Sequence, residues 1–151
     1  MTIKEQLQED WKQALKSKDK PKAEILSMAK AAILHVEKTD NIKVEDAKAI
    51  EILAREVKMR RDANVEFEKG NRQDLVDKNN FEIETILGYL PKQLEEKDII
   101  RLVEDTAKEI GANSTKDMGK LMAALKPATT GKADGKLVSS IVKDYLNRQG
   151  N

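Results

Sequence analysis

The chain has 151 residues and no cysteine. Disulfides, thiolate zinc sites and a cysteine nucleophile are therefore excluded. Aromatic residues make up only 3%, and three prolines and seven glycines punctuate the whole length. Such sparse punctuation predicts long elements. Few aromatics beside many Ala, Leu, Lys, Glu and Ile predict helices rather than sheets. No apolar run approaches the roughly 18 residues of a membrane span. The opening Met1-Thr-Ile-Lys-Glu5 is already charged, unlike a signal peptide. A soluble, cytoplasmic protein without a membrane partner is expected.

What is abundant is charge, 36% of all residues, with a net value of only +1. That balance is no global signature of nucleic-acid binding. Its distribution is uneven. Residues 1–90 carry 17 basic and 18 acidic side chains, and residues 91–110 carry 4 and 6. Residues 111–151 carry 7 basic against 3 acidic. The C-terminal end is thus modestly positive, which fits either a solvated surface or an anionic partner.

Thr2-Ile-Lys-Glu5 is a capping box, and Ile3, Leu7, Trp11 and Leu15 follow at four-residue spacing on one helical face. This helix should end near Lys18. Asp19 should cap a second, with Pro21 in its first turn and Ile25, Met28, Ala29, Ala32, Ile33 and Val36 as its buried stripe. Thr39-Asp40-Asn41 reads as a turn. A long helix follows from about Val44 to Glu68, with Val44, Ala47, Ile50, Leu53, Ala54, Val57 and Phe67 apolar, until Gly70-Asn71 breaks it. Leu75, Val76, Ile83, Ile86, Leu87 and Leu90 mark a fourth helix ending before Pro91. Beyond it, Asp98 to Ile110 reads as a helix stopped by Gly111. Ser114-Thr-Lys-Asp117 should cap the next, with Met118, Leu121, Met122 and Leu125 inward and Pro127 as its stop. Asp134 should cap the last, burying Leu137, Val138, Ile141, Val142 and Tyr145. The expectation is an all-α chain: an N-terminal long-helix bundle over 1–90, then a small three-helix C-terminal subdomain over 91–151.

No catalytic constellation is visible. His35, the only histidine, adjoins the Ile33/Val36 face and is expected at the edge of the core. No residues stand around it at ligand spacing, so neither a metal nor a cofactor is expected. Glu95, Glu96 and Asp98 gather at a helix start, where negative charge offsets the dipole. Arg55, Lys58, Arg60 and Arg61 interleave with Glu51, Glu56 and Asp62 and are expected on a solvated face.

The stretch Gly131-Lys132-Ala133-Asp134-Gly135-Lys136 stands apart, with small residues where a loop enters a helix. One reading is a phosphate seat at a helix N-terminus flanked by Lys132 and Lys136. The other is a tight inter-helix turn whose glycines permit close packing and positive φ. The P-loop order is absent. Lys116 and Lys120 lie one turn apart on the preceding helix, and Lys136 shares a polar face with Ser140, Lys143 and Asn147. A rim of Lys116, Lys120, Lys132, Lys136 and Lys143 lacks an aromatic platform, so it would contact backbone and shape rather than read bases.

The run Tyr89-Leu-Pro-Lys-Gln-Leu94, then Gly111-Ala, Lys116-Asp-Met-Gly-Lys-Leu-Met122, Pro127 and Gly131-Lys-Ala-Asp-Gly-Lys-Leu-Val138 closely resembles the YqeY family. Asp10-Trp-Lys-Gln-Ala-Leu-Lys-Ser-Lys-Asp19 and Asn71-Arg-Gln-Asp-Leu-Val76 extend the likeness to the front half. Members of that family are similar to the C-terminal tail of GatB, the B subunit of the tRNA-dependent amidotransferase, a helical appendage that contacts the tRNA body. The resemblance implies two helical subdomains, the second carrying the Gly-Lys-Ala-Asp-Gly loop. It also implies an inherited label, carbon–nitrogen ligase activity with glutamine as amido-N-donor, although the amide-transfer domains are absent from this chain. Two function classes stay open: a non-catalytic module for tRNA or another structured RNA, and an adaptor or accessory subunit for a protein partner. An enzyme is disfavoured, because amide release needs an activated nucleophile.

Overall fold

Thr2 opens the first helix through its side chain. Its Oγ1 accepts from the Glu5 N–H at 3.1 Å, and the Glu5 carboxylate accepts from the Thr2 N–H at 3.0 Å. In the computed structural model, which describes residues 1–150, this helix is α1 (Ile3–Lys16). It is followed by α2 (Lys20–Asp40), α3 (Asp46–Lys69), α4 (Gln73–Leu87), α5 (Glu96–Ile110), α6 (Met118–Thr129) and α7 (Gly135–Gln149). One 3-10 turn, Thr115–Asp117, precedes α6. Among the described residues there is no strand, and no helix is long and apolar enough to cross a membrane.

The chain divides into two compact units, Met1–Pro91 and Lys92–Asn151. In the first, α1 pairs with α2 and α3 with α4, while α2 also packs on α3 and α4. Leu7, Ile25, Leu26, Ala29, Ile33, Val44, Ala49, Leu53 and Val57 are the centre of its core, with Ile83 and Ile86 from α4. Truncating a fully buried member such as Leu53 to Ala removes about 2–5 kcal/mol. The buried faces follow the apolar spacing at most positions and depart from it at a few. Leu15 and Met28 are about half exposed, and Ala47 is exposed, while Ala14, Leu26 and Ala49 are buried. Alanines therefore share the buried seam with leucine and isoleucine. Likewise α4 ends at Leu87, before Leu90, through a loose turn in which Tyr89 and Leu90 N–H groups reach Ile86 and Leu87 carbonyls.

Two further expectations are corrected here. Arg60 is not on a solvated face. It is 8% exposed, donating from Nε to Glu82 Oε1 at 3.0 Å and from Nη1 to Glu56 Oε1 at 3.2 Å. Its carboxylate partners come from α3 itself and from α4, which turns a surface-like charge inward. Next to it, Asn64 donates to Asn80 Oδ1 at 3.0 Å and accepts from Asn79 Nδ2 at 3.0 Å. His35 is exposed rather than at the edge of the core, because the inward side of α2 there is carried by Ile33.

In the second unit α5, α6 and α7 pack on one another. Ile99, Val103 and Ala107 recur at four-residue spacing on α5 and meet Leu121, Leu125, Val138, Val142 and Leu146. Gly111 ends α5 at φ +74, a conformation cheap only for glycine. Pro127 does not stop α6; it lies inside it, two residues before its end. A proline there forfeits one backbone bond, close to an end whose last carbonyls lack partners anyway. The hydroxyls of Thr129 and Thr130 donate to the carbonyls of Leu125 (3.1 Å) and Lys126 (2.8 Å) in that turn. Nor does Ser114 cap α6 with its side chain. The Asp117 carboxylate instead accepts from the Asn113 N–H at 3.0 Å.

Candidate nucleic-acid interface

The α6–α7 connection is a folded turn whose donors are used internally. Lys132 and Ala133 N–H groups both donate to the Thr129 carbonyl, at 2.9 and 3.0 Å. Asp134 caps α7, accepting from the Lys136 N–H at 3.2 Å. Gly131 is buried at φ +75. That conformation calls for glycine, whereas at Gly135 a Cβ would meet nothing within 4 Å. Of the two readings of this loop, the geometry is that of the tight turn. Three amides that a phosphate seat would offer are already bonded.

The turn is held by the segment that enters the second unit. Gln93 Nε2 donates to the Gly131 carbonyl at 2.7 Å, and the Leu94 N–H donates to the Lys132 carbonyl at 2.8 Å. Two separate runs of the resemblance therefore meet in space, the one ending in Gln93-Leu94 and the one starting at Gly131. Nothing in either run alone signals the contact; only their joint presence does.

The five lysines occupy distinct places. Lys116 lies in the 3-10 turn rather than on α6, and Lys120 lies in the first turn of α6; both are exposed. Lys120 Nζ reaches the Ile110 carbonyl at 3.4 Å, so it also neutralises the negative end of the α5 dipole. Lys132 is half-buried in the turn, and Lys136 is exposed at the start of α7. Lys143 is exposed two turns farther along α7, about 10 Å from Lys136 at 1.5 Å per residue. Lys120 precedes the end of α6 by nine residues, about 14 Å of helix. The turn thus gathers Lys132 and Lys136, and Lys116 and Lys120 sit at the other end of α6. Lys116, Lys132 and Lys143 form no ion pair among the described residues, whereas Lys97 pairs with Glu95 at 3.3 Å. No group of three or more His, Asp or Glu among the described residues is placed to hold a metal ion.

Comparison with known proteins places these features in a wider set. A fungal protein named "Altered inheritance of mitochondria protein 41, mitochondrial", from Pyrenophora tritici-repentis, is 28% identical over 145 residues, 93% of this chain and 78% of its own length. The family described as Yqey-like protein matches residues 4–146, which takes in both units and both motif runs that meet at the turn. The chain belongs to the YqeY-like protein family.

Proposed function

We propose that the chain is a non-catalytic helical module that contacts tRNA or another structured RNA through its second unit. In this reading the first unit is a long-helix bundle and the second a three-helix module presenting the loop. The observation that carries it is the cationic excess of residues 111–151 on side chains that the fold leaves without ion-pair partners, Lys116, Lys132 and Lys143. Three backbone amides of the turn, those of Lys132, Ala133 and Lys136, are already bonded, so in this reading the Lys132 and Lys136 side chains make the phosphate contacts. Binding is to backbone and shape, with affinity falling steeply as salt rises. A filter-binding titration of bulk tRNA at two salt concentrations tests it; absence of binding at low salt sinks it. The link to tRNA-dependent amidotransfer rests on the sequence resemblance and is examined by the same titration with charged and deacylated tRNA. Cytoplasmic placement belongs to this reading, and cell fractionation checks it, since the fungal relative bears a mitochondrial name.

A second reading, an adaptor for a protein partner, is favoured by the first unit. Met28 and Met59 are each nearly half exposed and line a depression between α2 and α3 together with Ala31, Val36 and Ile52. Flexible, polarisable methionines suit a repacking protein contact. Co-purification that survives nuclease treatment supports this reading over RNA bridging.

A further inference from the structure

A dense run of exposed positive charge lies in the first unit, at the turn joining α1 to α2. Lys16, Lys18, Lys20 and Lys22 fall within seven residues, against Asp19 alone. All four are exposed, and none forms an ion pair among the described residues. Just upstream, Lys12 reaches Glu9 only at 4.0 Å.

This turn gives up stability in two ways. Lys18 adopts φ +58, while the Asp19 N–H donates to the Ala14 carbonyl at 2.9 Å and the Lys18 N–H to the Leu15 carbonyl at 3.2 Å. That bond pair ends a helix with a left-handed residue, a place where glycine or asparagine is cheapest. The other described residues at positive φ are Asn41, Asn71, Gly111 and Gly131, all of tolerant types; Lys18 is the exception. Lys20 and Lys22 then occupy the first turn of α2, which has no acidic residue. Cations there oppose the positive end of the helix dipole. The Asp19 carboxylate, accepting from the Lys22 N–H at 3.3 Å, is the offset on hand. Local choices that work against the fold at one spot are characteristic of a functional surface.

We propose that the α1–α2 turn is a second contact surface for the phosphate backbone of a structured RNA, separate from the lysines of the second unit. The ligand class rests on the function proposed above; the surface does not. Lysines on flexible stems at an exposed turn suit phosphates as point charges. Base reading is not expected, because the neighbouring Trp11 ring already carries Lys30 Nζ 3.8 Å from its centroid. A lipid surface fits less well. Interfacial binding needs a broad apolar face, and here Leu15 is the exposed apolar side chain beside the charges.

The test uses the full chain and fluorescence anisotropy with bulk tRNA over a salt series. Three proteins are compared: wild type, K16Q/K18Q/K20Q/K22Q, and K116Q/K132Q/K143Q. The first variant should flatten the plot of log affinity against log salt by about 3.6, four lost contacts at roughly 0.9 each. If the first variant matches wild type and the second is weakened, this inference falls and the reading of the second unit stands. If only the first variant is weakened, the reverse holds. Absence of wild-type binding at low salt overturns both. Retained tRNA binding with lost binding to phosphatidylserine-containing vesicles assigns the turn to lipid and overturns it. Apart from the half-buried Lys132, all substituted side chains are exposed, and unchanged circular dichroism confirms that each variant is folded.

Discussion

Arg60 and Glu82 form an ion pair across the α3–α4 seam, 3.0 Å from Nε to Oε1, with both side chains nearly out of solvent. Removing Glu82 leaves the buried Arg60 guanidinium with Glu56 as its one remaining carboxylate partner and an unpaired Nε. Glu82→Ala should therefore cost about 3 kcal/mol in urea unfolding. Replacing both by Met and Leu should cost far less, because the desolvation penalty leaves with the charges. A double replacement as damaging as the single one would show that the pair is not the source of the loss.

That pair also marks where sequence reading reaches its limit. The all-helical class was legible from composition, and Thr2, Asp19, Asp134 and Gly70-Asn71 were legible as starts and breaks, because caps and breakers act locally. Arg60 was not. Its neighbours Glu56 and Asp62 make the segment look like a paired surface, and only the approach of Glu82 from α4 turns it inward. On α1 and α3 the spacing placed Leu7, Leu53 and Val57 inward, as found, but did not reveal the burial of Ala14 and Ala49 or the exposure of Leu15 and Ala47. In the second unit the lysines were visible as a charge excess. The internal bonding of the Gly131 turn and its grip by Gln93 were not, being contacts between distant segments.

Stability at the acid end should depend on Glu37. Its carboxylate accepts from Lys4 Nζ at 2.7 Å and from the Val44 N–H at 2.9 Å, and the Lys4 bond first of all holds its pKa below the usual 4.5. The folded state thus binds this proton less readily than the unfolded state. The contribution is full above pH 4.5 and fades as pH falls through the lowered value. Glu37→Gln should flatten that part of a stability–pH profile. An unaltered profile would remove Glu37 from the acid response.

At the alkaline end the sign reverses. Burial and the hydrogen bond donated to Asp10 raise the Tyr89 phenol above its usual 10.0. Above that pH the unfolded chain loses a proton that the folded chain keeps, so stability should decline. Tyr89→Phe should abolish this decline while losing the bond to Asp10, a cost of about 1.5 kcal/mol or more at neutral pH. Melting curves for both proteins between pH 9 and 11 measure it.

Lys18→Gly should stabilise the chain by about 1 kcal/mol by relieving the left-handed residue that ends α1. If the α1–α2 turn is an RNA contact, the same change should flatten the salt dependence of binding by roughly one contact. Thermal melts read the first effect and anisotropy the second.

The two glycines of the α6–α7 turn should respond differently. Gly131→Ala places a side chain at φ +75 and should cost about 1 kcal/mol or more. Gly135→Ala meets open space at a helix start and should be neutral or slightly stabilising. Equal losses at both sites would contradict the assignment of Gly131 as the conformationally required one.

The central claim is that the lysines of the second unit meet phosphate. Its most direct measurement is the salt dependence of bulk tRNA affinity for the full chain beside K116Q/K132Q/K136Q/K143Q. Tight binding at low salt, with a log–log slope that becomes shallower by about 3.6 in the variant, is the predicted result. Equal slopes and affinities for the two proteins, or no binding by the wild type at low salt, would contradict it.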